Sequence, residues 1–111
     1  MSSQNIYLER ASGSGFSMEY KRIYLRQGGA FKVAVSDYNV EMGEKCRSVT
    51  EGTWAFNRAY KPPEGGLLVV LDITYGGTTG TDAFWFFPDR TVRVGKDQEQ
   101  YQINDDIGEP C

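Results

Sequence analysis

The chain has no histidine, two cysteines, four prolines and no apolar run longer than five residues, as in Leu67 to Leu71. Each shortage excludes something. Without histidine there is no imidazole base, no Ser-His-Asp or Cys-His arrangement and none of the usual zinc or copper ligand sets, which removes most hydrolase chemistries. A five-residue run is far below the roughly 20 apolar residues of a membrane-spanning helix. Cys46 and Cys111 have no CxxC partner, so they form neither a zinc knuckle nor a thioredoxin-type redox pair. Two readings of them stay open: a disulfide, which in the chain-entropy model is worth roughly 4 kcal/mol in an oxidising compartment, or two free thiols. No Asn-x-Ser/Thr site is present, so nothing points to a glycosylated surface.

Charge is equally sparing. A net charge of -3 and a pI near 4.9, with acids spread along the chain, argue against nucleic-acid binding, which needs a concentrated positive face. The opening "MSSQNIYLER" has no basic region followed by an apolar one. If Met1 is the native start, the expectation is a cytoplasmic protein. If a leader has been removed, it is a secreted or periplasmic one. The 111 residues, 40% hydrophobic and 24% charged, suit a single domain spanning 1–111.

What is present is alternation. Ile23 and Leu25 alternate with Arg22, Tyr24 and Arg26, then Phe31, Val33 and Val35 alternate with Lys32, Ala34 and Ser36. Gly28 and Gly29 separate the two runs, which predicts a tight hairpin. A polar loop is expected from about Asn39 to Thr50, then a short strand "GTWAFN" carrying Trp54 and Phe56. Pro62, Pro63, Gly65 and Gly66 break that strand. "LLVVLDITY" is the strongest strand, with Leu67, Val69, Leu71, Ile73 and Tyr75 on one face and Leu68, Val70, Asp72 and Thr74 on the other. "GGTTGT" is read as its connection to "TDAFWFFPD", "PDRT" as a turn, "TVRVG" as another strand, and Tyr101 to Ile103 as a weak last one. Helical periodicity is missing; "YNVEMGEKC" allows a single turn at most. The expected fold class is all-β: about seven to eight short strands in an antiparallel meander that closes into a barrel or sandwich and so avoids exposed edges.

Gly29 and Phe31, followed by Gly52 and Trp54, form a Gly-x-Phe element and then a Gly-x-Trp element ahead of an apolar and an aromatic strand. Over roughly the central two-thirds of the chain this order resembles the small lipocalin-like, or calycin, barrels. The resemblance implies a barrel that binds a small apolar ligand or acts as a protein inhibitor.

Four consecutive aromatics, Phe84, Trp85, Phe86 and Phe87, send rings to both faces of one strand. One side is expected to fill the interior. The other must meet a loop, a terminal segment or a partner. Tyr20, Arg22, Tyr24 and Arg26 put two phenols and two guanidinium groups on one sheet face, the residue types enriched at the energetic centres of protein interfaces; arginine stems lying over tyrosines on an inert sheet give the same pattern. "YGGTTGTD" lacks the lysine and spacing of a phosphate loop and reads as a mobile hairpin. Asp97, Glu99, Asp105 and Asp106 lack the D-x-D-x-D-G spacing of a calcium loop and read as a solvated tail. Asp72 is the odd polar residue in its strand: inside a barrel it would grip a polar ligand or serve acid-base chemistry, and near the strand end it would reach solvent or Arg93.

Three functions follow. The first is a non-catalytic binding or inhibitory protein, of the kind phages and bacteria make, docking a protein partner or a second copy of itself through Tyr20, Arg22, Tyr24, Arg26, Trp85 and Phe87. The second is a lipocalin-like carrier of a small apolar ligand lined by Trp54, Phe56, Phe84 and Phe86, with Asp72 as its polar contact. The third is a small-barrel cyclase or isomerase using Asp72. No cofactor and no metal is implied by any motif.

Overall fold

The alternation is realised as eight antiparallel strands in a computed structural model that describes residues 5–105, 107 and 111. They are β1 (Ile6–Ser14), β2 (Ser17–Leu25), β3 (Ala30–Asn39), β4 (Gly43–Tyr60), β5 (Leu67–Tyr75), β6 (Thr78–Phe86), β7 (Thr91–Val94) and β8 (Glu99–Ile103). Each pairs with its neighbours in the chain, and β8 returns to β1, so the sheet closes into a barrel of up-and-down order. Closure removes every sheet edge. Eight strands also leave an interior just wide enough to be filled by side chains or to hold one small ligand.

The closing seam is short. Leu8 faces Ile103 and Glu9 faces Gln102. Asn104 N donates to Tyr7 O at 3.0 Å, which adds one more bond past the end of β8. Inward-facing Leu8, Leu25, Phe84, Val92 and Tyr101 are all buried and form one apolar cluster with Ile23, Phe31, Leu71, Ile73 and Val94. Each such leucine or phenylalanine contributes about 1.5–3 kcal/mol by leaving water.

Several elements differ from the sequence expectation. Residues 39–50 are not a loop: β3 runs to Asn39, β4 starts at Gly43, and only a tight turn joins them. "GTWAFN" is the middle of an 18-residue strand rather than a short one. "GGTTGT" contributes only its two glycines to a turn, because Thr78 to Thr81 already pair with Asp72 to Tyr75. Ile6–Ser14, which carried no assignment, is the strand that closes the ring. Most of these segments are exposed, so backbone pairing with neighbours on both sides holds them rather than burial, and burial is what a hydrophobic pattern reports.

Two bulges let β4 wrap so far around the barrel. Register shifts between Val35 and Ser36 on β3 leave Arg47 as the extra residue, and between Phe56 and Arg58 leave Asn57. Bulges bend a strand and increase its twist. Between them, Gly52 allows a close approach that no other residue would. A Cβ there would sit 2.1 Å from Thr74 O and 2.8 Å from Tyr75 Cβ. The space lets Tyr75 on β5 reach past β4 and stack on Phe31 of β3, rings 6.5 Å apart and 10° from parallel.

Replacing Gly52→Ala should therefore force backbone apart rather than a side-chain end aside. The expected loss is at the upper end of the roughly 1–3 kcal/mol typical of overpacking, read from urea denaturation. Wild-type stability in that variant would show that β4 and β5 are not in such close contact.

Candidate functional site

The two ends of the barrel are built differently. At the end bearing the β2–β3 turn, Trp54 closes the interior. Its backbone N donates to Gly29 O at 2.8 Å and its indole Nε1 to Arg26 O at 2.9 Å. Gly29 must be glycine on two counts: its φ is 96°, and a Cβ would lie 3.2 Å from Trp54 O. The opposite end is open. There the inward positions of β4 and β6 are small, with Thr50 and Gly52 on one strand and Thr78 and Gly80 on the other, and they cannot fill an eight-stranded interior. A cup of about 500 Å³ results, within the size range of small-molecule sites.

The floor of the cup is apolar, made by Ile23, Phe31, Ile73, Phe84 and Val94. Its upper wall is charged. Lys21 Nζ lies 3.5 Å from Glu99 Oε1, and the Tyr101 hydroxyl donates to the same oxygen at 3.4 Å. Burial, reinforced by the Glu99 charge, pushes the Tyr101 phenol well above its ordinary value, so it stays a neutral donor. Asp82 stands on the inner face of β6, opposite Leu71. Burial raises its pKa above the ordinary carboxylate value, against a hydrogen bond from Ala83 N and the more distant positive charge of Lys21. It forms no ion pair among the described residues.

The outer face of β1, β2 and β3 carries a second polar cluster, and it is enclosed. Arg22 Nε donates to Glu9 at 2.8 Å, while its Nη1 bonds Glu44 and lies 3.4 Å from Ser36 Oγ, which also bonds Glu44. Asn104 Nδ2 donates to the other Glu9 oxygen at 3.2 Å. Burial opposes the charge of Glu44, but the hydrogen bonds from Arg22 and Ser36 outweigh it and hold the carboxyl below its usual range. One guanidinium thus connects four consecutive strands. On the β3–β4 side, Cys111 is bonded to Cys46, and its carbonyl accepts from Lys32 Nζ at 2.8 Å. Asn104 is thus held on β1, and Cys111 on β3 and β4. Tyr24, on the strand between, is 0% exposed, with the charges of Arg26 and Lys32 against its ring.

The residues proposed from sequence for partner docking are therefore split. Arg22 and Tyr24 are enclosed, the first in an ion-pair network and the second among cations. Tyr20 lies beneath Arg22, 4.8 Å from ring centroid to guanidinium carbon, and Arg26 lies against Tyr7 and Tyr24. Trp85 and Phe87, on the far wall, pack on each other at 4.8 Å and are half-buried. Arg93 lies over both rings, and Trp85 Nε1 donates to Gly65 O at 2.9 Å. The outward half of the aromatic strand thus meets an arginine and the chain's own 61–66 turn.

Of the ligand residues expected from sequence, Phe84 reaches the cup. Phe86 and Trp54 pack on the core cluster instead, and Phe56, beside the Asn57 bulge, is 62% exposed. Asp72 faces outward and accepts from Asn57 Nδ2 at 2.9 Å, away from the cup. The acidic tail is divided: Asp97 and Glu99 line the cup, Asp105 pairs with Arg90 at 3.1 Å, and Asp106 lies outside the described residues. Lys21, Asp82 and Tyr101 carry no site reading from the sequence, and Glu99 only that of a calcium-loop spacing it lacks. One signal would have found Asp82. Extending the inward phase of Phe86 and Phe84 by two residues reaches it, within the same stretch "TDAFWFFPD".

No family model matches the chain, and neither a curated protein nor a solved structure is similar to it at a significant level.

Two outcomes are expected. Asp82→Asn keeps the acceptor for Ala83 N and removes a desolvated charge. It should raise stability at neutral pH by up to about 1 kcal/mol, a modest figure because the group is half in water. A raised carboxylate pKa means the folded state binds the extra proton, so the native Asp82 penalty is full above that raised value and absent below about 3.8, its unfolded value. Thermal melts of both proteins across that window should converge in acid. Separately, reducing Cys46–Cys111 should lower stability by about 4 kcal/mol, the chain-entropy value for a loop of this length, and should increase hydrogen exchange on β2 and β3. Unchanged exchange there would separate the disulfide from the enclosure of Tyr24.

Proposed function

We propose that this chain is a non-catalytic binding protein whose site is the open cup of the barrel, where it holds one small, largely apolar molecule. The carrying observation is the cup itself: about 500 Å³, with an apolar floor and a few polar groups on one wall. That combination is what small-molecule sites use, apolar area for affinity and sparse polar groups for orientation. The Gly-x-Phe and Gly-x-Trp resemblance to lipocalin-like barrels supports the same reading. So does Asp82, a half-buried carboxylate that faces the cup.

A second reading, docking of a protein partner or a second copy, draws on a different place. Phe16 and Met42 are 81% and 64% exposed at the tips of the β1–β2 and β3–β4 hairpins. Val40 N donates to Phe16 O at 3.2 Å, so the two tips adjoin.

A neutral fluorescent probe such as N-phenylnaphthylamine separates the two. It should saturate at one molecule per chain. Gly80→Phe, at an inward position with open space around it, should fill the cup and weaken binding by at least about tenfold, the equivalent of 1.4 kcal/mol. Equal binding by that variant would put the probe on the hairpin tips and overturn the cup as the site.

A further inference from the structure

Resting on the cup as the ligand site, we propose that its ligand is a compact apolar molecule bearing one protonated amine, with Asp82 as the acceptor for that amine. One Asp82 oxygen accepts from Ala83 N at 3.0 Å, and the other has no hydrogen-bond or ion-pair partner among the described residues. Nor is it a sealed-off atom, since no side-chain oxygen or nitrogen is both buried and unbonded among those residues. The space beside Asp82 is kept clear by absent side chains. Gly80, two residues earlier on the same inward row, has nothing within 4 Å of a would-be Cβ, and Gly95 has no side chain against the Ala83-bonded oxygen, its would-be Cβ lying 3.5 Å from Asp82 Oδ1.

The surrounding charges favour a cation. Lys21 and Lys96 line the cup together with three carboxylates, Asp82, Asp97 and Glu99. Lys21 is the cation nearest Asp82 in effect, yet its ion pair is with Glu99. An incoming ammonium would leave the lining balanced. An incoming carboxylate would deepen the excess of negative charge. The apolar body of the ligand has a matching surface in the Phe31–Tyr75 stack and in Phe84 below it. An amine held by a carboxylate in such a partly dry site makes a charge-assisted hydrogen bond, stronger than a neutral one.

Three probes of one shape test this: naphthylmethylamine, naphthylmethanol and naphthoate, titrated calorimetrically at pH 7 into the intact disulfide-bonded chain. The amine should bind one per chain and at least about tenfold more tightly than the alcohol, with naphthoate weakest. Asp82→Asn should bring the amine down to the affinity of the alcohol and leave the alcohol unchanged; its melting temperature reports whether it has folded. Lys21→Met, which removes the competing cation without touching Asp82, should tighten the amine several-fold. Equal binding of amine and alcohol, or full amine affinity in Asp82→Asn, overturns the proposal and leaves the cup standing as an apolar site. Tightest binding by naphthoate overturns it in favour of an anion held by Lys21. Failure of all three probes up to about 1 mM overturns the cup reading as well.

Discussion

Closure of the ring is the constraint on which everything else in this protein depends. Seven strand pairs come from neighbours in the chain, and their hairpins form locally. The eighth, β8 on β1, joins the two ends of the sequence through only two facing residue pairs. Without it, Leu8 and Tyr101 would lie on open edges and no cup would exist. The surroundings of this seam are accordingly dense. Asn104 bonds both the backbone of β1 and Glu9. Arg22 then ties Glu9 to Ser36 and Glu44, and the Cys46–Cys111 bond fixes the far end of the C-terminal segment on β4. Long-range closure carries a large entropic cost, and a covalent link lowers it most when the loop it closes is long.

Inside the ring, the two ends of the barrel are filled differently. Toward Trp54 the inward residues are large and aliphatic or aromatic, and they fill the barrel. Toward the other end they shrink to threonine and glycine, and a charge is placed among them. Packing that half would have added burial. Leaving it empty, with Asp82 partly desolvated and in no ion pair among the described residues, departs from the choice that would bury the most apolar area.

On the outside of the barrel, aromatic and cationic residues make many of their contacts within the molecule itself. Tyr20, Arg22, Tyr24 and Arg26 alternate as an interaction face would, but the ion pairs and cation–π contacts they make are with one another, with Glu9 and Glu44, and with Tyr7 and Lys32. Trp85 and Phe87 are half-covered by Arg93 and by the turn after Pro63. Among the described residues, the large apolar groups most open to solvent are Phe16 and Met42, at hairpin tips where no periodicity marks them.

Alternation in the sequence was enough to determine the strands with one apolar face, the Gly28–Gly29 hairpin and the all-antiparallel class, because period-two burial is a local property of the chain. Much of β4 and all of β1 escaped it: most of β4 and the second half of β1 are exposed, and pairing on both sides, which depends on distant segments, is what makes them strands. The site was legible only in part. Phe84 could be placed inside by its phase, and Asp82, two residues earlier, shares that phase; Asp72 lies on a strand with apolar residues on both faces, and only strand register shows that it faces out. Whether Cys46 meets Cys111, whether Tyr24 is open or enclosed, and where the interior is left unfilled were decided by the closed ring. Each joins residues tens of positions apart, and no local physical rule connects them until the barrel does.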